Sequence, residues 1–227
     1  MKSFEVIEMN EKLAEFVGAM IGDGCLTVAR RSNGTLNNLA LLTGHLINDR
    51  IYYESVLRPI INENFGVNGY LKVRAKYNCM DLVMSKSIFD FLRSLNFPIG
   101  VKYNSLAIPN VIFSNDNFVK ACIRGIFDTD GTIYRRYSKK YNRHTKVYDY
   151  LTIQIKMKNN KIITQIYDLL QMLGINCNRV ISDGIYSVLR ITDQAEINRF
   201  IEIIKPSNPY HIERYLSRCK RSKPTGP

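Results

Sequence analysis

The sequence predicts an α+β protein made of two pseudo-symmetric halves, each running helix–strand–strand–helix–strand–strand–helix. Three observations carry that reading. The stretch "FVGAMIGDG" from Phe16 is echoed by "IRGIFDTDG" from Ile123. The echo continues at a nearly constant offset through both halves. Between its anchors, apolar periodicity alternates between helical and strand spacing in the same order twice.

Gly18 and Gly125, Asp23 and Asp130, and Gly24 and Gly131 are each 107 residues apart. Farther on, "NFGVNGYLKV" parallels "MLGINCNRVI", and "SKSIFDFLRSL" parallels "TDQAEINRFIEII". The register slips only where the second copy carries a longer hairpin, "RRYSKKYNRHTKVY". The expected organisation is a first half over 1–97, a linker over 98–115 rich in turn formers (Pro98, Gly100, Pro109), and a second half over 116–227 ending in a basic tail.

The elements follow in order. Helices are expected over 10–24 and 116–131, capped by Asn10 and Asp116. Strand pairs come next, 26–31 with 39–45 and 132–137 with 148–157. Apolar residues at helical spacing then fill 47–65 and 159–173. Two further strand pairs, 69–77 with 80–85 and 178–182 with 185–191, precede closing helices over 87–95 and 194–204. The tail, "ERYLSRCKRSKPTGP", reads as a disordered, solvated end.

Charge bounds the function. Thirty-two Lys and Arg against 20 Asp and Glu give a net charge of +12, which favours a polyanionic partner, nucleic acid first. No stretch is apolar enough to span a membrane, and "MKSFEVIEMNEK" lacks a signal-peptide core. Cys25, Cys79, Cys122, Cys177 and Cys219 are scattered without a CxxC pair, which argues against a zinc site and a secreted disulfide framework. The expected location is intracellular: cytoplasmic and nucleoid-associated, or encoded within an organelle.

The basic residues are patterned. In "YLKVRAKY", Lys72, Arg74 and Lys76 alternate with Leu71, Val73 and Ala75; in "TIQIKMK", Gln154, Lys156 and Lys158 alternate with Ile153, Ile155 and Met157. Period-two alternation puts each basic set on one sheet face and the apolar set on a core. One basic strand is an ordinary solvated face, but one in each half suggests two basic sheets suited to a duplex groove. Arg30, Arg31, Arg190 and a hairpin holding Tyr134, Arg135, Arg136, Lys139, Lys140 and Arg143 would extend that surface.

Ala14, Gly18 and Gly22 are spaced by four, as are Ala121, Gly125 and Thr129. Small residues at this spacing form a smooth strip, so the two helices should pack almost backbone to backbone. Each ends at Asp-Gly. Alone, that is an ordinary helix end; duplicated, it brings Asp23 and Asp130 together beside a basic surface. Two close carboxylates call for a cation, and oxygen ligands of this kind suit Mg²⁺ (or Mn²⁺). Paired carboxylates, divalent metal and a phosphate backbone point to phosphodiester hydrolysis.

These two nonapeptides, with the element order around them, resemble the single-chain LAGLIDADG homing endonucleases over nearly the whole chain. The resemblance implies a monomer shaped as a saddle of two antiparallel sheets over double-stranded DNA, with the motif helices at the interface. It implies a long specific target, staggered double-strand cleavage across the minor groove, and metal binding by Asp23 and Asp130 with the carbonyls of Gly22 and Thr129. Lys102, in "GVKYNSLAIP", takes the place of a lysine usual upstream of the second motif. Its second-half counterpart is Lys205 or Arg214, and His45 and Lys156 fall at a further polar position, the end of each second strand. His144 and His211 give no comparable signal. Two departures stand out: Ile21 occupies a position that is acidic in the second copy (Asp128), and Arg124 replaces a small residue. The chain lacks an intein's Cys or Ser start and His-Asn end, so a free-standing, intron-encoded protein is expected. Two alternatives share the scaffold: an RNA maturase binding its own intron RNA, and a non-catalytic DNA-binding regulator.

Overall fold

Helix α1 (Glu11–Gly22) begins where the Asn10 side chain accepts a hydrogen bond from the Leu13 amide at 2.9 Å, and it stops at Asp23. In this computed structural model, which describes residues 7–30, 32–103, 105–140 and 146–219, the chain turns directly from α1 into a sheet. That first half contains β1 (Gly24–Arg30), β2 (Leu36–His45), α2 (Arg50–Tyr52), a π-helical turn (Tyr53–Leu57), α3 (Arg58–Phe65), β3 (Tyr70–Arg74), β4 (Cys79–Met84) and α4 (Lys86–Ser94). The second half repeats the order: α5 (Asp116–Asp130), β5 (Gly131–Lys140), β6 (Lys146–Met157), α6 (Asn160–Met172), β7 (Ile181–Asp183), β8 (Tyr186–Ile191) and α7 (Gln194–Ile204). Strand order is β1-β2-β4-β3 in one sheet and β5-β6-β8-β7 in the other, with every pairing antiparallel. The repeat in sequence is a repeat in topology.

Three local expectations are corrected. The cap of α5 is Asn115, which accepts from the Asn117 amide at 2.8 Å; Asp116 is the first helical residue. The strand expected over 69–77 ends at Arg74, where Ala75–Tyr77 form a 3-10 turn closed by Asn78 in the left-handed region (φ 50°). The "solvated" tail folds back as α8 (Pro209–Cys219); residues beyond it lie outside the described set.

The core of each half lies between its sheet and its helices. Leu26, Ala40, Leu42, Met80, Leu82 and Met84 face inward in one sheet, and Ile133, Ile153, Ile155, Leu189 and Ile191 do so in the other; all are buried. Helices α1 and α5 join the two cores. A methyl added to Gly18 would overlap the Cys122 carbonyl, and one added to Gly125 would overlap the Glu15 carbonyl. The two backbones therefore touch where glycine removes the side chain, as the four-residue spacing anticipates.

Arg124 adds a polar tie at this seam. Its Nη1 donates to Glu15 Oε2 at 2.9 Å and its Nε to the Ile204 carbonyl at 2.8 Å. Glu15 is only 5% exposed, so it depends on that cation. Arg124→Ala is expected to cost about 3–5 kcal/mol, because it leaves a buried carboxylate unpaired. A denaturant titration showing under about 1 kcal/mol would contradict this.

Candidate active site

The ends of α1 and α5 open into one cleft lined by Asp23, Asp130, Lys102, Tyr103, Lys156, Lys158 and Tyr186. The close packing sets the geometry. A Cβ on Gly22 would overlap the Thr129 hydroxyl and lie 3.2 Å from Asp130 Oδ2, so one carboxylate rests against the residue preceding the other. Both carboxylates are perturbed. Burial holds Asp23 well above the ordinary value, with the Asp130 and Asp49 charges adding to it and Lys102 opposing it. Burial pushes Asp130 up to about 6 against the pull of Lys102. Two neighbouring buried carboxylates offer hard oxygen donors, a donor set whose chemistry fits Mg²⁺ or Mn²⁺.

Lys102 reaches the site from the linker. Its ammonium donates to the carbonyls of Gly22, of Gly24 at 2.8 Å and of Met20 at 3.3 Å, capping the C-terminal end of α1. Burial lowers its pKa, while Asp130 and Asp23 oppose that change. The Gly22 carbonyl is thus already engaged by Lys102. The Thr129 hydroxyl turns back to the Gly125 and Ile126 carbonyls at 3.0 and 3.1 Å.

A third carboxylate, absent from the sequence-based set, stands behind this pair. Asp49 Oδ2 accepts from the His45 amide at 2.7 Å and Oδ1 from Asn208 Nδ2 at 3.0 Å. The same Asn208 amide donates to the Asp128 carbonyl at 3.1 Å, so a fully buried residue near α8 clamps the first half to the second motif. Tyr53, at the start of the π-helical turn, is also fully buried, and its hydroxyl has no hydrogen-bond partner among the described residues. Burial raises its pKa, and the charges of Asp23, Asp49 and Asp130 add to that. Buried Asp128 is likewise raised, chiefly by burial, although the Ser207 amide donates to it at 2.7 Å.

The remaining expected residues separate. His45 serves the turn after β2: Nδ1 accepts from the Ile47 and Asn48 amides, each at 3.2 Å, and Nε2 meets the Asn78 amide group at 2.9 Å. Pairing register also corrects its presumed equivalence to Lys156. Gly24 faces Leu42 and Gly131 faces Ile155, so Thr43 corresponds to Lys156, and His45 to Lys158. Lys156 is paired with Asp183 at 2.6 Å and lies over the Tyr186 ring at 4.7 Å. Of the two second-half basic candidates, Lys205 is an exposed residue in the left-handed region ending α7, beside Ile204, which binds Arg124 upstream on α5. Arg214 instead reaches Thr132, next to the second motif's last glycine, at 3.4 Å, and stacks on Tyr210 at 5.1 Å.

The expectation of two equally basic sheets also needs correction. In the first sheet, Arg74 pairs with Asp81 at 2.7 Å, and Asp81 lies directly across from Lys72. Lys76 sits in the 3-10 turn, off the strand. Arg30 and Arg135 share parity with the core residues Leu26 and Ile133 and so fall on the inner-face register of β1 and β5. Arg136, Tyr134, Gln154, Lys156 and Arg190 share the opposite parity, as does Lys158 one step beyond β6. Lys139 and Lys140 fall in the distal part of β5, while Arg31, Arg143 and His144 lie outside the described residues.

Residues 117–205, including the second nonapeptide, match the model of the LAGLIDADG-like domain. The fold extends the likeness to the first half. The homing endonuclease I-DmoI, in a complex with DNA and Mn, superposes with a TM-score of 0.60 at 16% identity, over 86% of this chain and 96% of that one. I-SmaMI, bound to an uncleaved DNA target with calcium ions, gives 0.64 at 15% identity, over 94% and 90%. The LAGLIDADG meganuclease I-AabMI, bound to uncleaved DNA, gives 0.64 at 12% identity over the same shares. Among the described residues, no helix is long and apolar enough to cross a membrane.

Proposed function

We propose that this chain, whose residues 117–205 match the LAGLIDADG-like domain and whose fold is that of the meganucleases it superposes on, is a site-specific, divalent-metal-dependent endonuclease that cuts both strands of a long duplex target and leaves staggered ends. The observation that carries this reading is the convergence of Asp23, Asp130 and Lys102 in one cleft between two sheets. The relatives solved with DNA and with Mn or Ca support the same class of substrate and cofactor.

Asp23 and Asp130 would hold the metal, together with the Gly22 and Thr129 carbonyls. When bound, Mg²⁺ or Mn²⁺ supplies Lewis-acid stabilisation of charge at the scissile phosphate. The chain's own residues do the rest. The close packing of α1 and α5 fixes the two carboxylates relative to each other, and the Asn208 clamp fixes the shell behind them. Lys102 presents a cation at the cleft, which can balance the charge that develops as water adds to phosphorus and one P–O ester bond breaks; to orient the attacking water as well, its ammonium would exchange one of its three carbonyl partners for that water. Arg214, whose guanidinium reaches Thr132 beside the second motif, is the candidate for the corresponding task in the second half. The protein would act as a monomer, since one chain carries both motif copies.

The test begins with a duplex isolated from a randomised library by binding in Ca²⁺. Adding Mg²⁺ should produce a staggered double-strand break, and EDTA should prevent it. Lys102→Met is expected to slow cutting about 100-fold, in the range of a lost proton-transfer or positioning group, with binding in Ca²⁺ little changed. Binding with no Mg²⁺-dependent cut on the selected duplex would replace this reading with a non-catalytic DNA-binding protein. Preference for the flanking intron RNA would favour a maturase.

A further inference from the structure

The two sheets present opposite chemistry at matching positions of their outer faces. Gly24 faces Leu42 and Gly131 faces Ile155, so Leu41 of β2 corresponds to Gln154 of β6. Leu42 faces Leu82 and Ile155 faces Leu189, so Val83 of β4 corresponds to Arg190 of β8. In the first sheet this row is apolar and crosses all four strands: Cys25, Leu41, Val83 and Tyr70. Val83 is nearly buried, while Leu41 is half-buried and Tyr70 is 61% exposed. In the second sheet the same row is polar and pre-assembled. Gln154 Oε1 accepts from Arg190 Nε at 2.8 Å and from the Tyr134 hydroxyl at 3.3 Å. In the next row the first sheet is polar at both positions, Thr43 and Asp81, where the second pairs Lys156 with Val188.

In a major groove these rows would recognise different features. Arg190 spends its Nε–H on Gln154, which fixes the guanidinium plane and leaves its two NH₂ groups as a donor pair. That pair matches the O6 and N7 acceptors of guanine. Leu41 and Val83 offer no hydrogen bond. Against the polar edges of A, G or C they would cover donors and acceptors without compensation. The thymine methyl is the apolar feature of the groove.

Building on the endonuclease reading above, we propose that the two half-sites are read by different chemistry: a guanine held by Arg190 under the second sheet, and thymine methyls packed on Leu41 and Tyr70, which flank the buried Val83, under the first.

The test uses the duplex selected in Ca²⁺ and measures binding. The position whose guanine preference relaxes in Arg190→Ala marks the second sheet's half-site. 7-Deazaguanine at that position should weaken wild-type binding about tenfold or more, with little further effect on Arg190→Ala. Replacing thymines one at a time with deoxyuridine, against unaltered protein, should cost about fourfold per contacted methyl, and only in the opposite half-site. The proposal is overturned if Arg190→Ala weakens all sequences equally and keeps the guanine preference. It is also overturned if deoxyuridine is silent in that half-site. If the wild-type protein selects no sequence, the endonuclease reading itself fails, and this one with it.

Discussion

Asp23→Asn and Asp130→Asn are each expected to abolish double-strand cleavage while raising the melting temperature of the metal-free protein. The loss of activity should be about 10³-fold or more, the rate equivalent of several kcal/mol of charge stabilisation. The gain in stability follows from the cost of ionising either group. Burial raises both pKa values, and Asp130 lies near 6. From the ordinary value of 3.8 up through about 6, the folded protein keeps protons that the unfolded chain has released. Stability therefore falls as pH rises through that window, and above it the full penalty applies. Buried His211, pushed down to about 4, acts in the opposite sense, because the unfolded chain binds its proton first as pH falls. The useful readout is thus the difference between variant and wild type at pH 5 and pH 7.5, in which His211 cancels. That difference should widen in the variant's favour from pH 5 to pH 7.5, with Asp130→Asn gaining about 2–3 kcal/mol at the higher pH and Asp23→Asn moving in the same direction. A variant that cuts at the wild-type rate would remove the carboxylates from the mechanism.

Gly18→Ala and Gly125→Ala should destabilise the protein by about 3 kcal/mol or more. Helix propensity alone predicts the opposite sign, since Ala is favoured over Gly by about 1 kcal/mol in a helix interior. The structure decides between the two effects. The new methyl would overlap a backbone carbonyl of the facing helix, and a backbone cannot rotate away as a side chain does. Overpacking against side chains costs about 1–3 kcal/mol, so contact with backbone should lie at or beyond that range. For a chain of this size the melting temperature should fall by roughly 10 °C. Because relief means moving α1 from α5, cleavage should drop even at temperatures where the variants remain folded. Unchanged melting would show that the helices are not in backbone contact.

Much of the architecture was legible because it is written in local patterns. Four-residue spacing of small side chains is visible in one helix, and its recurrence at Gly125 needs no knowledge of the fold. Strand alternation was equally local, and it misled where pairing decides the outcome. Lys72 and Arg74 look like a free basic face until register brings Asp81 across from them. The stretch Ala75–Tyr77 continues the alternation in sequence, yet Asn78 adopts a left-handed turn that ends the strand. Asp49, Tyr53 and Asn208 could not have been picked out. Their place beside the cleft comes from contacts between distant segments, and Asp49 sits in an unremarkable "IND" before a helix. The apparent match of His45 with Lys156 failed for the same reason: a hairpin of different length shifts the numbering, and only pairing partners restore it.

The Asn208 clamp has a kinetic consequence. Each sheet forms from hairpins and neighbouring strands, whose closing loops are short. The bond from Asn208 to Asp49 spans 159 residues. Chain entropy must be surrendered before so distant a contact returns any energy, which places it among the last to form. A chain with both sheets assembled would still lack a fixed shell behind Asp23. On the endonuclease reading, competence to cut would be acquired at the end of folding, when the segment after α7 docks, rather than growing in proportion to structure.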